Sequence, residues 1–263
     1  MNLFFFNKEI KKLNLDFLST KLRGFIPEIK GDFYKEKKIF STFWLELIRE
    51  KRLLIDKKAI SKNNINDINE FCNITKKIFL NKYAPYIYRE ITKDLTKYIR
   101  VDDLCYLTND VVENLMPSIA EIELENKLFL KDKEGLEIQQ GIFLSALLQN
   151  KIEGLHLCKT MLLPTEYSKE KVDEFEQKGK VVLDGARVDR KEGYDLVILD
   201  NPEYLNAEDN RTLLPLEIAI DIAIQSRQNN VVVFRGCKVN HPKYKNKNIF
   251  GAGINLTHLY EGK

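Results

Sequence analysis

The spacing of apolar residues changes once along this chain, near Gly179. Ahead of that point apolar side chains recur every three or four residues, as in Ile39, Phe43, Leu47 and Ile48 and again in Ile74, Ile78 and Phe79, with lysine and glutamate between them. That is the period of a helix with one buried face. Beyond Gly179 the period falls to two, or to continuous β-branched runs: Val181–Leu183, Ala186–Asp189, Asp195–Leu199 and Val231–Phe234. These read as strands, the last of them buried, with Lys191–Gly193 as a hairpin turn. The expectation is an α/β chain with a helical N-terminal domain over residues 1–178. A second domain over 179–263 follows, ordered hairpin, strand, helix, strand, glycine loop and helix.

Turn signals refine this outline. In the helical part breaks are expected near Pro27–Gly31, Asn63–Asn69, Pro85, Pro117 and Lys131–Gly135. Leu136–Leu148 is an apolar helix candidate, Pro164-Thr165 closes the next helix, and Ser168 begins another. In the second part Asp200-Asn201-Pro202 ends a strand. Asn206 then reads as the N-cap of a helix running to about Ser226, placing Glu208 and Asp209 in a first turn where the macrodipole favours acids.

Composition narrows the classes of function. With 263 residues and 44% apolar content the chain can bury a real core. Its 42 Lys and Arg against 39 Asp and Glu leave +3, spread without a basic stripe, which argues against nucleic acid as a partner. Cys72, Cys105, Cys158 and Cys237 form no CxxC pair and read as reduced thiols. Cys237 and His241 are four apart, but no second pair would complete a metal shell. The apolar burst Leu3–Phe6 is too short for a signal peptide, and no segment reaches the length of a membrane span. The expected location is the cytoplasm, without a membrane partner.

The chemistry concentrates in Phe250–Lys263, FGAGINLTHLYEGK. Gly251-Ala252-Gly253-Ile254 follows a strand and opens a helix. A dinucleotide fingerprint fails because position 256 is leucine, and no GK[ST] follows for a P-loop. What remains is the backbone N–H of Ile254, aimed by a turn at something negative. A plain glycine-rich turn is the competing reading.

Order along the chain adds weight. LNAED (Leu205–Asp209) follows the strand DLVILD, then come a helix, VVVFRG (Val231–Gly236) and HPKYKNKNIFGAGINL (His241–Leu256). This order resembles the crotonase (enoyl-CoA hydratase/isomerase) superfamily, in which an LNA-type turn, a helix, a strand and an [SA]AGxDL turn occur in this sequence. Asn255 stands where crotonases normally carry aspartate. That departure, the HPKYKNKN insert, LNAED and the GINLTHLY ending are similar to the cofactor-independent (3,5-dihydroxyphenyl)acetyl-CoA dioxygenase family of hydroxyphenylglycine (antibiotic) biosynthesis. The stretches KEGLEIQQGIFLSALL (Lys133–Leu148) and MLLPT (Met161–Thr165) fit as well.

The resemblance implies the first part of a crotonase-type ββα spiral behind a helical region. It places a backbone oxyanion donor at Ile254 and substrate contacts at Glu208 and His241. It implies a coenzyme A thioester and dioxygen as partners, with no cofactor and no metal: two backbone donors stabilise an enolate that reduces dioxygen directly and yields an arylglyoxylate. It also implies a second oxyanion donor on a GG[AG]-type turn, which this sequence does not contain. The expectation is therefore a homo-oligomer or a complementing C-terminal chain, with little catalysis by this chain alone. An ordinary enoyl-CoA hydratase/isomerase and a non-catalytic partner subunit compete with this reading. For Glu208 the plain alternative is a complement to the helix dipole, for His241 a surface loop residue; His156 and His258 read as structural.

Overall fold

A computed structural model describes residues 8–239, 241–244, 247 and 249–262. The apolar burst Leu3–Phe6, part of the HPKYKNKN insert and Lys263 lie outside the described residues. The chain divides into two compact units, one formed by Met1–Glu125 and Lys133–Leu162, the other by Asn126–Asp132 and Leu163–Lys263.

The first unit is helical: α1 (Thr20–Gly24), α2 (Phe33–Asp56), α3 (Lys62–Ile91), α4 (Val101–Val111), α5 (Ile119–Glu125), α6 (Glu137–Leu148) and α7 (Lys151–Met161). Helix α2 starts where Asp32 accepts the Lys35 N–H at 3.1 Å. Its buried face is Phe33, Phe40, Phe43, Trp44 and Leu47, the i, i+3, i+4 stripe of an amphipathic helix. Ile39 and Ile48 flank that stripe half-buried. Across it lie Phe71, Phe79 and Tyr83 of α3, with the Phe79 ring 5.0 Å from Phe40 and edge-on to Trp44 at 5.5 Å. Trp44 satisfies its indole N–H on Thr75 Oγ1 at 3.0 Å, as a buried tryptophan must.

Two expected breaks are overturned in α3. Ser61 caps this helix by accepting the Asn64 N–H, so Asn63–Asn69 forms its opening turns. Pro85 sits inside the same helix. A mid-helix proline forfeits a hydrogen bond and costs about 3 kcal/mol. Here Tyr83, Ala84, Ile87 and Tyr88 are all buried around it, and that packing outweighs the loss. The breaks at Pro27–Gly31, Pro117 and Lys131–Gly135 fall between helices or on a 3-10 turn, Leu130–Asp132.

The second unit opens with α8 (Glu166–Lys178), capped by Thr165 rather than begun at Ser168, because the Thr165 hydroxyl accepts the Ser168 N–H at 3.1 Å. Strands β1 (Lys180–Leu183), β2 (Ala186–Lys191) and β3 (Tyr194–Leu199) form an antiparallel meander. Helix α9 (Leu213–Gln225) carries the chain to β4 (Val232–Gly236), which pairs parallel with β3, and the sheet order is β1-β2-β3-β4. The core lies between the sheet and two helices: Phe175 of α8 and Leu216, Ala219, Ile222 and Ala223 of α9 cover Val181, Val188, Val197 and Leu199.

Two further expectations fail here. The Val231–Phe234 strand is not buried. It is the last strand in the sheet order, and Val231, Val232 and Val233 are exposed, because among the described residues only β3 flanks it. Nor does a helix begin at Asn206. Leu205 and Asn206 adopt left-handed φ values of 56° and 57°, and α9 starts seven residues later at Leu213. The mixed α/β class holds, with ten α-helices and four strands among the described residues.

Candidate functional site

Two loops of the second unit meet beyond the ends of β3 and β4. The first, Asp200–Thr212, links β3 to α9; the second, 249–255, leads into the short helix α10 (Leu256–Glu261). They join through one parallel β-bridge between Glu208 and Ile254. The Glu208 N–H donates to the Gly253 carbonyl and the Asn255 N–H to the Glu208 carbonyl, each at 2.8 Å.

This bridge fixes where the Ile254 amide points. A trans peptide is planar, so the Gly253 carbonyl and the Ile254 N–H lie on opposite sides of one rigid unit. With the carbonyl held by Glu208, the N–H is turned away from the first loop. Among the described residues the Ile254 N–H has no hydrogen-bond partner, and Ile254 is 68% exposed. Gly253, with φ at +81°, supplies the left-handed residue that this turn requires.

The second loop is held down by side chains of the first. Asn206, fully buried, donates to the carbonyls of Cys237 and Ile249 at 2.9 and 3.0 Å. It does not cap a helix because Oδ1, the atom that a cap would use, already accepts the Asn201 N–H at 3.2 Å and the Cys237 thiol at 3.0 Å. The entry to α9 is formed instead by Asp209 and Thr212, with the Asp209 N–H donating to Thr212 Oγ1 at 2.8 Å.

Asp209 is the electrostatic centre of the loop pair. Its Oδ2 accepts from Asn201 Nδ2 at 3.0 Å and Asn255 Nδ2 at 2.9 Å and stands 3.0 Å from His258 Nδ1. Its Oδ1 accepts the Arg211 N–H at 3.1 Å. Burial alone would push this carboxyl up; the hydrogen bonds from Asn255 and Asn201 and the nearby His258 outweigh it and hold the group below the usual aspartate range. Asn255 also accepts the His258 N–H at 3.2 Å, capping α10, and His258 packs edge-on to Tyr204 at 4.6 Å.

The structure brings the backbones of Glu208 and Ile254 together. The Glu208 carboxylate is exposed and lies outside any helix, which removes the helix-dipole reading. His241 is half-buried; its Nδ1 accepts the Lys243 N–H at 3.2 Å and its ring lies 5.2 Å from Tyr244, bracing the 3-10 turn Pro242–Tyr244. Among the described residues no hydrogen bond or ring contact joins His241 to Glu208 or Ile254. Sequence reasoning does not join Asn201, Asp209 and Asn255 into one buried set: Asp209 closes LNAED and Asn255 stands where an acid is usual in the resembling turn, but nothing local links the two. All four cysteines are free, and among the described residues no group of three or more His, Cys, Asp or Glu could hold a metal ion. No helix among the described residues is long and apolar enough to cross a membrane.

No family model matches the chain. Over 184 residues it is 34% identical to the (3,5-dihydroxyphenyl)acetyl-CoA 1,2-dioxygenase of Amycolatopsis orientalis, a match that covers 70% of this chain. The match spans 42% of the length of that enzyme, and the chain is related to it over that part.

Proposed function

We propose that the second unit is the opening part of a crotonase-type spiral and that the chain belongs to a cytoplasmic enzyme acting on an arylacetyl-CoA thioester. The single observation that carries this is the unpartnered Ile254 N–H, turned outward by the Glu208 bridge on a glycine turn. The related dioxygenase supports the substrate class. In this reading the Ile254 amide donates to the thioester oxygen as the α-proton leaves, and the resulting enolate passes electrons to dioxygen. The peroxide formed at the α-carbon attacks the thioester carbonyl, the C–S bond breaks, and O–O cleavage leaves an arylglyoxylate and free coenzyme A. One thioester and one dioxygen give one of each product, so no further reductant is needed. Glu208, exposed beside the bridge, faces substrate; His241 contributes by way of its loop. The second oxyanion donor comes from an additional segment or subunit.

The exposed edge strand β4 favours a second reading, in which the chain is a non-catalytic partner subunit that pairs with another chain through this edge. Oxygen uptake with (3,5-dihydroxyphenyl)acetyl-CoA, measured for the chain with and without its complementing segment, separates the two. Uptake matched by coenzyme A release, reduced roughly 10²–10³-fold by Ile254→Pro, supports the enzyme. A flat trace from the complete assembly overturns it.

A further inference from the structure

We propose that Asp209 and Asn255 are positioning residues for the Ile254 amide: their side-chain pairing fixes the direction in which that N–H meets a thioester oxygen. This rests on the reading of Ile254 as an oxyanion donor and goes beyond it in naming what holds the donor still. Asp209 follows Glu208 and Asn255 follows Ile254, so the neighbours of the two bridge partners are themselves linked, at 2.9 Å. Asn206 ties the start of the second loop at Ile249, but at the Ile254 end the bridge by itself would let the loops twist. A second link one residue along limits that twist.

The residue types are matched. Asn255 does two things at once: Oδ1 caps α10 through the His258 N–H, and Nδ2 donates to the Asp209 carboxylate. Aspartate at 255 would cap equally well but would set one carboxylate against another, and two such groups in contact cannot both ionise. The asparagine at 255 is thus the counterpart of the acid at 209. Two groups besides Asn255 and Asn201 face that acid from the packed elements. His258 approaches from α10, and Arg211 from its own loop, where the guanidinium is engaged by Asp184 and Asn201.

The test is Asn255→Asp in the full chain, read by amide exchange at Glu208 and position 255 and by the shift of the Ile254 amide signal on adding phenylacetyl-CoA. At about pH 8 the variant is expected to lose roughly tenfold in protection at both bridge amides, with a similar fall in the affinity reported at Ile254. At about pH 5.5 one carboxyl of the pair holds a proton, donates it to the other and restores both readings. The wild type, measured under both conditions, is the reference for each reading. Wild-type protection in the variant at the higher pH overturns the proposal, as does a loss that acid does not reverse. A variant that folds only at the lower pH supports it; one unfolded at both pH values overturns it, since the position would then matter for bulk packing. A wild-type Ile254 signal that phenylacetyl-CoA leaves unmoved overturns the reading of Ile254 itself, so the pair and the donor fail on different signals.

Discussion

Asn206 and Cys237 hold one another reciprocally: the Asn206 amide donates to the Cys237 carbonyl at 2.9 Å, and the Cys237 thiol donates to Asn206 Oδ1 at 3.0 Å. Burial first, and then the nearby Asp200, push this thiol up to about 11. A thiol reacts as its thiolate, so Cys237 is expected to be slow toward iodoacetamide at neutral pH, while exposed Cys158 reacts first. Asn206→Leu removes the clasp and leaves two carbonyls unpaired. Cys237 should then be alkylated at least several-fold faster, followed by mass spectrometry of the labelled peptides. Unchanged labelling would show that the clasp does not hold the loop.

In the first unit Glu36 anchors the entry to α2. Its Oε1 accepts the backbone N–H groups of Lys30, Gly31 and Asp32 at 2.7, 2.7 and 2.9 Å, and its Oε2 accepts the Tyr83 hydroxyl at 2.7 Å. Burial would raise this carboxyl, but the Tyr83 and backbone donors prevail and hold it below its ordinary value. A depressed folded-state pKa means that the stabilisation is full above the unfolded value of about 4.3 and fades as pH falls through the folded one. Glu36→Gln should lower stability by about 1–3 kcal/mol near pH 7. The gap between variant and wild type should shrink below about pH 4 in urea titrations.

Lys76 has the opposite linkage. It is buried on α3, donates to Gln139 Oε1 and lies 5.6 Å over the Trp44 ring. Burial pulls its ammonium below the ordinary lysine value, against smaller opposing effects from Cys72 and Glu121. The penalty for burying the charged form is complete below the folded-state pKa and vanishes above the unfolded value of about 10.4. Native stability should therefore climb with pH inside that window. Lys76→Met should flatten the climb and add on the order of 1–2 kcal/mol at neutral pH, since half-buried Gln139 can turn to water. A variant with the same pH slope as wild type would assign the slope to another group.

What the sequence made legible follows from locality. Val181–Leu183, Ala186–Asp189 and Asp195–Leu199 lie within β1, β2 and β3, because β-branched alternation is a local signal. The start of α9 is not legible locally, because Asn206 looks like a cap to its neighbours while its real partners, Cys237 and Ile249, are brought to it by the fold. Exposure of β4 could not be read from Val231–Val233 either, since an apolar run carries no mark of edge or centre. In the site, the glycine turn and the Ile254 amide were visible as motif. The link from Asp209 to Asn255 was not, because it is a contact between loops separated by a helix and a strand.

Gly236, at the end of β4, tests whether the two loops must close to make the site. A Cβ there would press into the carbonyls of Ile249 and Phe250 and the Asn206 amide, all closer than real Cβ contacts allow. Two of those three atoms belong to backbone, so relief requires the second loop to move outward. Gly236→Ala should therefore separate Asn206 from Ile249 and open the Glu208–Ile254 bridge, while the core of β1–β3 under α9 stays intact. The expected signature is loss of amide protection at Glu208 and Asn255 with protection retained at Val188 and Val197 in the centre of the sheet. Overpacking of this kind costs typically about 1–3 kcal/mol, so the chain should remain folded. Retained protection at Glu208 would mean that the loop absorbs the methyl without moving and that closure does not depend on this glycine.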